Sequence, residues 1–151
     1  MVDLEFMHIA LEEAKKAYKE DEVPVGAVVV YNNKVVSKAH NKTVSLSDPA
    51  GHAEILALRK ACKKFNNYRL PPGTTLYVTL EPCMMCLGAI LWCRVETLVY
   101  GADESKFGAV RRYLHNDILH VENYPKVKVI RGLLETDIAS LMKQFFSMHR
   151  D

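Results

Sequence analysis

No apolar run in this sequence approaches the roughly 20 residues that a membrane span requires. Internal repeats, low-complexity tracts and linker-like stretches are also missing, so one domain over residues 1–151 is expected. The opening stretch MVDLEFMHIALEEAKKAYKE has neither the cationic-then-apolar layout of a signal peptide nor the acid-poor character of a transit peptide. A cytoplasmic location is therefore the expectation. There are only four cysteines, which in such a chain read as ligands or reduced thiols rather than as a disulfide framework. The formal net charge is only +2, which identifies no partner by itself.

The distribution of charge is more informative than its sum. Arg59, Lys60, Lys63, Lys64 and Arg69 fall in one stretch with no acid among them. Lys106, Arg111, Arg112, Lys126, Lys128 and Arg131 face only Asp117 and Glu122 across Ser105–Arg131. The acids gather near the N-terminus instead. Such unevenness suits a polyanionic partner, although solvated helix faces would produce the same pattern.

Leu4, Met7, Leu11, Ala14 and Tyr18 recur at helical spacing and predict a helix over Asp3–Glu20. VPVGAVVV and KVVSKAH, split by Asn32-Asn33, predict two strands joined by a tight hairpin. A helix is expected over His52–Phe65. The strand TLYVTL follows, and Pro82 is expected to open a short helix, since proline suits a first helical turn. VETLVYGA and KVKVIRG read as further strands, with the stretch Ser105–Pro125 between them open to a helix. Thr136–Met148 closes the chain as a helix with Ile138, Leu141, Met142 and Phe145 inward. This order predicts a central sheet covered by helices on both faces.

The stretch VTLEPCMMC places Cys83 and Cys86 three residues apart, directly after Glu81 and Pro82. A redox pair of this spacing should follow the first strand of a βαβ unit, whereas this one follows the third predicted strand. A metal reading needs a third ligand, and His52 in GHAEI is the candidate. The intervening residues, 53 through 82, suffice for a helix, a loop and a returning strand. Two helix N-termini then point at one site, where their partial positive charge favours thiolates. One imidazole and two thiolates suit Zn²⁺, one per chain, and three protein ligands leave a fourth position for water. Glu54 lies two residues past His52 and is assigned to proton transfer rather than ligation. Cys62 and Cys93 are expected to be packing residues. The other histidines show no ligand spacing, although His40 adjoins Asn41.

The combination H-x-E with P-C-x-x-C is the signature of the zinc nucleobase deaminases. With EVPVGAVVV, His40-Asn41, DPAGHAEILALR, NYRL, TLYVTLEPCMMCLGAI and GLLETDIASLMKQFF, the sequence resembles the cytidine-deaminase-like superfamily. Within it, the sequence is most similar to bacterial tRNA adenosine deaminases of the TadA type. The resemblance implies a three-layer α/β/α fold with a five-stranded mixed sheet. It implies hydrolysis of the wobble adenosine in a tRNA anticodon stem-loop to inosine, with release of ammonia, by a homodimer. His52, Cys83 and Cys86 would be the zinc ligands and Glu54 the proton shuttle. Asn41 would hydrogen-bond the flipped base, with Val25, Ala53 and Leu80 beside it. Glu104 would accept from a ribose 2′-hydroxyl, and Lys106, Arg111 and Arg112 would meet flanking phosphates. The sequence departs from the family where a Gly-Ser is usual and Arg111-Arg112 stands, and where ENYPKV replaces an Asn-His pair. Two other readings are carried forward: a deaminase of a free base or nucleoside such as guanine, and a non-catalytic zinc-binding partner subunit.

Overall fold

The structure is a computed structural model, and it describes residues 2–149. Helix α1 spans Leu4–Lys19, and Asp3 caps it by accepting a 2.9 Å hydrogen bond from the Glu5 N–H. Strands β1 (Gly26–Tyr31) and β2 (Lys34–His40) form the expected antiparallel hairpin. Its turn residues Asn32 and Asn33 have φ of 51° and 60°, the left-handed pair that a two-residue hairpin with the right twist needs. Helix α2 (Ala53–Phe65), strand β3 (Thr75–Leu80), helix α3 (Met84–Trp92) and strand β4 (Thr97–Ala102) follow. Two-residue strands β5 (Leu114–His115) and β6 (Ile118–Leu119), strand β7 (Val127–Arg131) and helix α4 (Glu135–Met148) complete the order.

The sheet order is β2-β1-β3-β4-β7-β6-β5. β3 pairs in parallel with β4, and β4 with β7; the other pairings are antiparallel. Alternation along the strands divides the core in two. Ala27, Val29, Leu76, Val78, Leu98 and Tyr100 face α2 and α3. Val28, Val30, Tyr77 and Val99 face α1 and Ile138 of α4. This is the expected three-layer α/β/α arrangement. Gly26 is required where β1 meets α1, because a Cβ there would lie 1.9 Å from the Ala10 carbonyl oxygen.

Two expectations need correction. The sheet has seven strands rather than five, because β5 and β6 extend the edge beyond β7. They belong to the stretch left open to a helix, Ser105–Pro125, which contains only a single 3-10 turn at Arg111–Tyr113. Asn116, at φ 52°, turns the chain between β5 and β6, so the segment pairs with β7 instead of coiling. Pro82 also stands outside α3, one residue before its N-cap Cys83. The Pro82 carbonyl accepts from the Ala109 N–H at 2.9 Å, and Cys83 bridges to Gly108. The backbone here is paired with another segment, which delays the helix by two residues. No helix among the described residues is long and apolar enough to cross a membrane.

Candidate active site

The parallel strands β3 and β4 set the place of the site. α2 and α3 pack against the same face of the sheet and against each other, and their N-termini converge. His52 is the N-cap of α2 and Cys83 the N-cap of α3, with Cys86 one turn further on. Neither cap side chain bonds its own helix, so both are free to face the shared site. His52 Nδ1 lies 3.6 Å from Cys83 Sγ and 3.4 Å from Cys86 Sγ. One ligand atom from each of the three residues falls within 4.8 Å of the others, a group that could hold a metal ion.

The protonation of the cluster is collective. Cys83 is brought down to about 4, chiefly because the Cys86 thiol donates to its sulfur and His52 assists. Cys86 is held well above the ordinary thiol range by that same interaction and by burial. His52 is raised by its hydrogen bond to Cys83. A bound cation would displace the remaining thiol proton, since both sulfurs ligate as thiolates.

Glu54 is buried in the first turn of α2 beside this cluster, with 4% of its surface exposed. It is not part of the ligand group. Burial pushes its carboxyl up to about 7, against an opposing pull from His52. A bound dication would draw it back toward the carboxylate range.

Asn41 follows the end of β2 and is buried. Its Oδ1 accepts a 2.8 Å bond from the Ala53 N–H at the start of α2, and its own N–H donates to the Val25 carbonyl at 3.1 Å. Val25, Asn41 and Ala53 are thus strung together beside His52. With Oδ1 engaged, the amide Nδ2 is the group left for a ligand. Leu80 ends β3, three residues before Cys83.

In the loop after β4, Arg111 is engaged within the chain. Arg111 Nε donates to Glu81 at 2.9 Å, its backbone N–H donates to the same carboxylate at 3.1 Å, and its Nη2 donates to the Glu104 carbonyl. Arg111 therefore staples this loop to the end of β3 instead of standing free for a phosphate. Glu104 accepts from the backbone N–H groups of Lys106 and Phe107, closing the turn that follows it. Lys106 and Arg112 are exposed, with the Lys106 ammonium 5.2 Å from the centre of the Phe107 ring. Gly108 is needed for close approach, since a Cβ would lie 2.3 Å from Glu81 Oε1 and 2.5 Å from the Glu104 oxygen.

Two supporting carboxylates escaped sequence reasoning. Glu81 is buried and accepts from the Glu104 N–H as well as from Arg111. Glu22 is buried and accepts from the Val44 and Ser45 N–H groups and the Thr43 hydroxyl, which anchors the loop leading to His52. The available signal was an acid directly before an apolar residue and proline (Glu22) or directly after a strand and before proline (Glu81), where a charge survives burial only if it is bonded. His40, flagged by its neighbour alone, lies between Glu13 at 3.1 Å and Glu20 at 3.0 Å and ties β2 to α1.

The MafB19-like deaminase description matches residues 1–150. Over 148 residues the chain is 43% identical to the tRNA-specific adenosine deaminase of Agrobacterium fabrum, covering 96% of this chain and 94% of that protein. It is similar to a structure solved in studies of A-to-I editing by tRNA:A34 deaminases at the wobble position of transfer RNA. The TM-score is 0.81 at 40% identity, over 92% of this chain and 99% of that one. It is also similar, at 26% identity and a TM-score of 0.78, to a guanine deaminase from Nitrosomonas europaea, over 97% of this chain and 85% of that one.

Proposed function

The chain belongs to the MafB19-like deaminase family, and from that membership we propose that it hydrolyses the wobble adenosine of a tRNA anticodon loop to inosine, releasing ammonia. The observation that carries this reading is the ligand cluster of His52, Cys83 and Cys86 with buried Glu54 beside it but outside it. The relatives named tRNA-specific adenosine deaminase lie at 38% identity and above over nearly the whole chain, while guanine deaminases lie at 26% and, over 72% of the chain, at 35%.

Zn²⁺ is the metal that best suits the site. A tetrahedral zinc with ordinary Zn–S and Zn–N bonds separates its sulfur and nitrogen ligands by about 3.6 Å. The Nδ1–Sγ distances of 3.6 and 3.4 Å match that edge. When bound, zinc supplies the activation of water near neutral pH. Glu54 is the proton carrier: it takes a proton from the attacking water at its carboxylate and delivers it to the purine ring nitrogen. It then assists the departure of the amine as ammonia. Asn41 orients the base through its Nδ2, while its Oδ1 holds the helix start that carries His52. Val25, Ala53 and Leu80 supply the apolar surroundings. A non-catalytic role would leave no use for a buried carboxyl at this point.

The target base must be extruded into the site, and an anticodon loop offers bases that are already unpaired. The exposed cations Lys106 and Arg112 flank Gly108, which bridges to Cys83, and would meet the flanking phosphates. Glu104 lies next to them, where its carboxylate could meet a 2′-hydroxyl. Two hollows that share Lys60 and Lys63 form a groove along α2 and β2, with Lys42, Arg59, Leu56 and the acid Glu13 lining the first and Lys38 and Lys64 the second. Its charge complements an RNA backbone. Met85 and Trp92 of α3, exposed seven residues apart on one helix face, offer an apolar patch for a second copy of the chain.

The test is ammonia release measured on an anticodon stem-loop and on free guanine, adenosine and cytidine. Turnover confined to the stem-loop is expected. Faster turnover of guanine than of RNA would replace this reading with that of a free-base deaminase.

A further inference from the structure

The four cysteines meet as two pairs in the fold. Cys83 and Cys86 belong to the ligand cluster. Cys62 and Cys93, expected to be separate packing residues, lie sulfur to sulfur at 3.8 Å. Cys62 is in the last turn of α2, and Cys93 is the C-cap of α3. These are the two helices whose N-caps are His52 and Cys83. They therefore meet at one end through the ligand set and at the other through a second thiol pair. At the rise of an α-helix, the ten residues from His52 to Cys62 put the two pairs about 15 Å apart.

The pair is placed for chemistry as well as contact. A disulfide needs the sulfurs to close from 3.8 Å to about 2.05 Å, a movement within the reach of side-chain torsions. The two positions are asymmetric. Cys62 lines an open dish with Lys63, Asn66, Asn67 and Tyr68, and its sulfur rests 3.7 Å from the Tyr68 carbonyl oxygen. Burial pushes the Cys93 thiol up to about 12. Cys62 is thus the sulfur that a small oxidant reaches from the dish, and Cys93 is the partner beside it.

We propose that Cys62 and Cys93 form a peroxide-responsive dithiol that closes to a disulfide and clamps the C-terminal ends of α2 and α3. The Cys62 thiolate attacks hydrogen peroxide: an S–O bond forms, the O–O bond breaks, and hydroxide leaves and takes up a proton. Cys93 sulfur then attacks the Cys62 sulfenic acid: the S–S bond forms, the S–O bond breaks, and water leaves with the Cys93 proton. The net change is two thiols and one peroxide to one disulfide and two waters. A dithiol reductant reverses it by exchange. This inference does not depend on the substrate of the enzyme.

The experiment treats the metal-loaded protein with hydrogen peroxide, alkylates the remaining thiols and maps the digest by mass spectrometry. A peptide crosslinked through Cys62 and Cys93 is expected, lost on treatment with dithiothreitol and never formed by Cys62→Ser or Cys62→Ala. Closing this loop should also raise the melting temperature, on the order of 5–10 °C, in the wild type only. Accumulation of Cys62 as a sulfinic acid without the crosslink would overturn the proposal. So would crosslinks that join Cys62 to Cys83, Cys86 or a second chain, or a melting-temperature rise of equal size in the Cys62 variants.

Discussion

Replacing Glu54 by glutamine keeps the shape of the side chain and removes its ability to carry a proton. The variant should lose 10²-fold or more in turnover, the usual worth of a general acid–base group. Its zinc content and far-UV spectrum should stay as in the wild type, because Glu54 lies outside the ligand group. Loss of zinc from the variant, measured by metal analysis, would make Glu54 a ligand. Cys86→Ala should do the reverse and lower the metal content, since Cys86 is one of the three donors. Glu22 acts on stability instead. Burial alone would raise its carboxyl, but the donors from Ser45 and Val44 prevail and hold it below the ordinary carboxylate range. A depressed folded-state pKa means the unfolded chain takes the proton first. The stability this group adds is therefore complete above the ordinary value of 4.5 and is lost as pH falls through the folded value. Thermal melts of Glu22→Gln should show a flatter decline between about pH 5 and 3 than the wild type. Parallel declines would contradict the assignment.

The loop from Asp103 to Arg112 shows why neighbouring residues should be tested separately. Arg111 neutralises Glu81, whose side chain is fully buried. Arg111→Ala leaves that carboxylate without its cation and should cost about 2–4 kcal/mol in chemical denaturation. Arg112→Ala and Lys106→Ala should cost little stability. They should instead weaken stem-loop binding and lower its salt dependence, by about one phosphate contact each. Unchanged affinity for both at every salt concentration would remove this loop from the RNA face. At this scale the helices, the hairpin and the main strands were legible, because helical spacing and runs of β-forming residues five or more long stand out. The hairpin of β5 and β6 was not, since two residues per strand establish no period. The division of labour between Arg111 and Arg112 was equally hidden. Both read as cations, and only the fold brings Glu81 beneath the first of them. The grouping of His52, Cys83 and Cys86 was legible because their spacing is local to two helix starts, whereas the contact of Cys62 with Cys93 spans a sequence separation of 31 residues and carries no motif.

For the whole molecule, assembly and substrate follow from surfaces rather than single groups. Trp92, with 57% of its surface exposed on α3, should be buried in a homodimer. Sedimentation at micromolar concentration should give twice the mass of one chain, and Trp92→Glu should shift it toward the monomer. A wild-type monomer would leave the exposed face of α3 without its proposed partner. The groove along α2 and β2 should contribute to affinity for a full stem-loop but not for the loop nucleotides alone. In the proposed reaction, one unpaired adenosine in an anticodon loop is the substrate of the His52–Cys83–Cys86 site, with Glu54 as its proton carrier. The most direct test incubates the zinc-loaded protein with a tRNA anticodon stem-loop and reads each loop position for inosine by sequencing and nucleoside mass spectrometry. Inosine is expected at the wobble position alone with the wild type, and essentially none with Glu54→Gln. Inosine formed equally by both proteins, or an unaltered wobble adenosine under conditions where free guanine is deaminated, would contradict the proposed reaction.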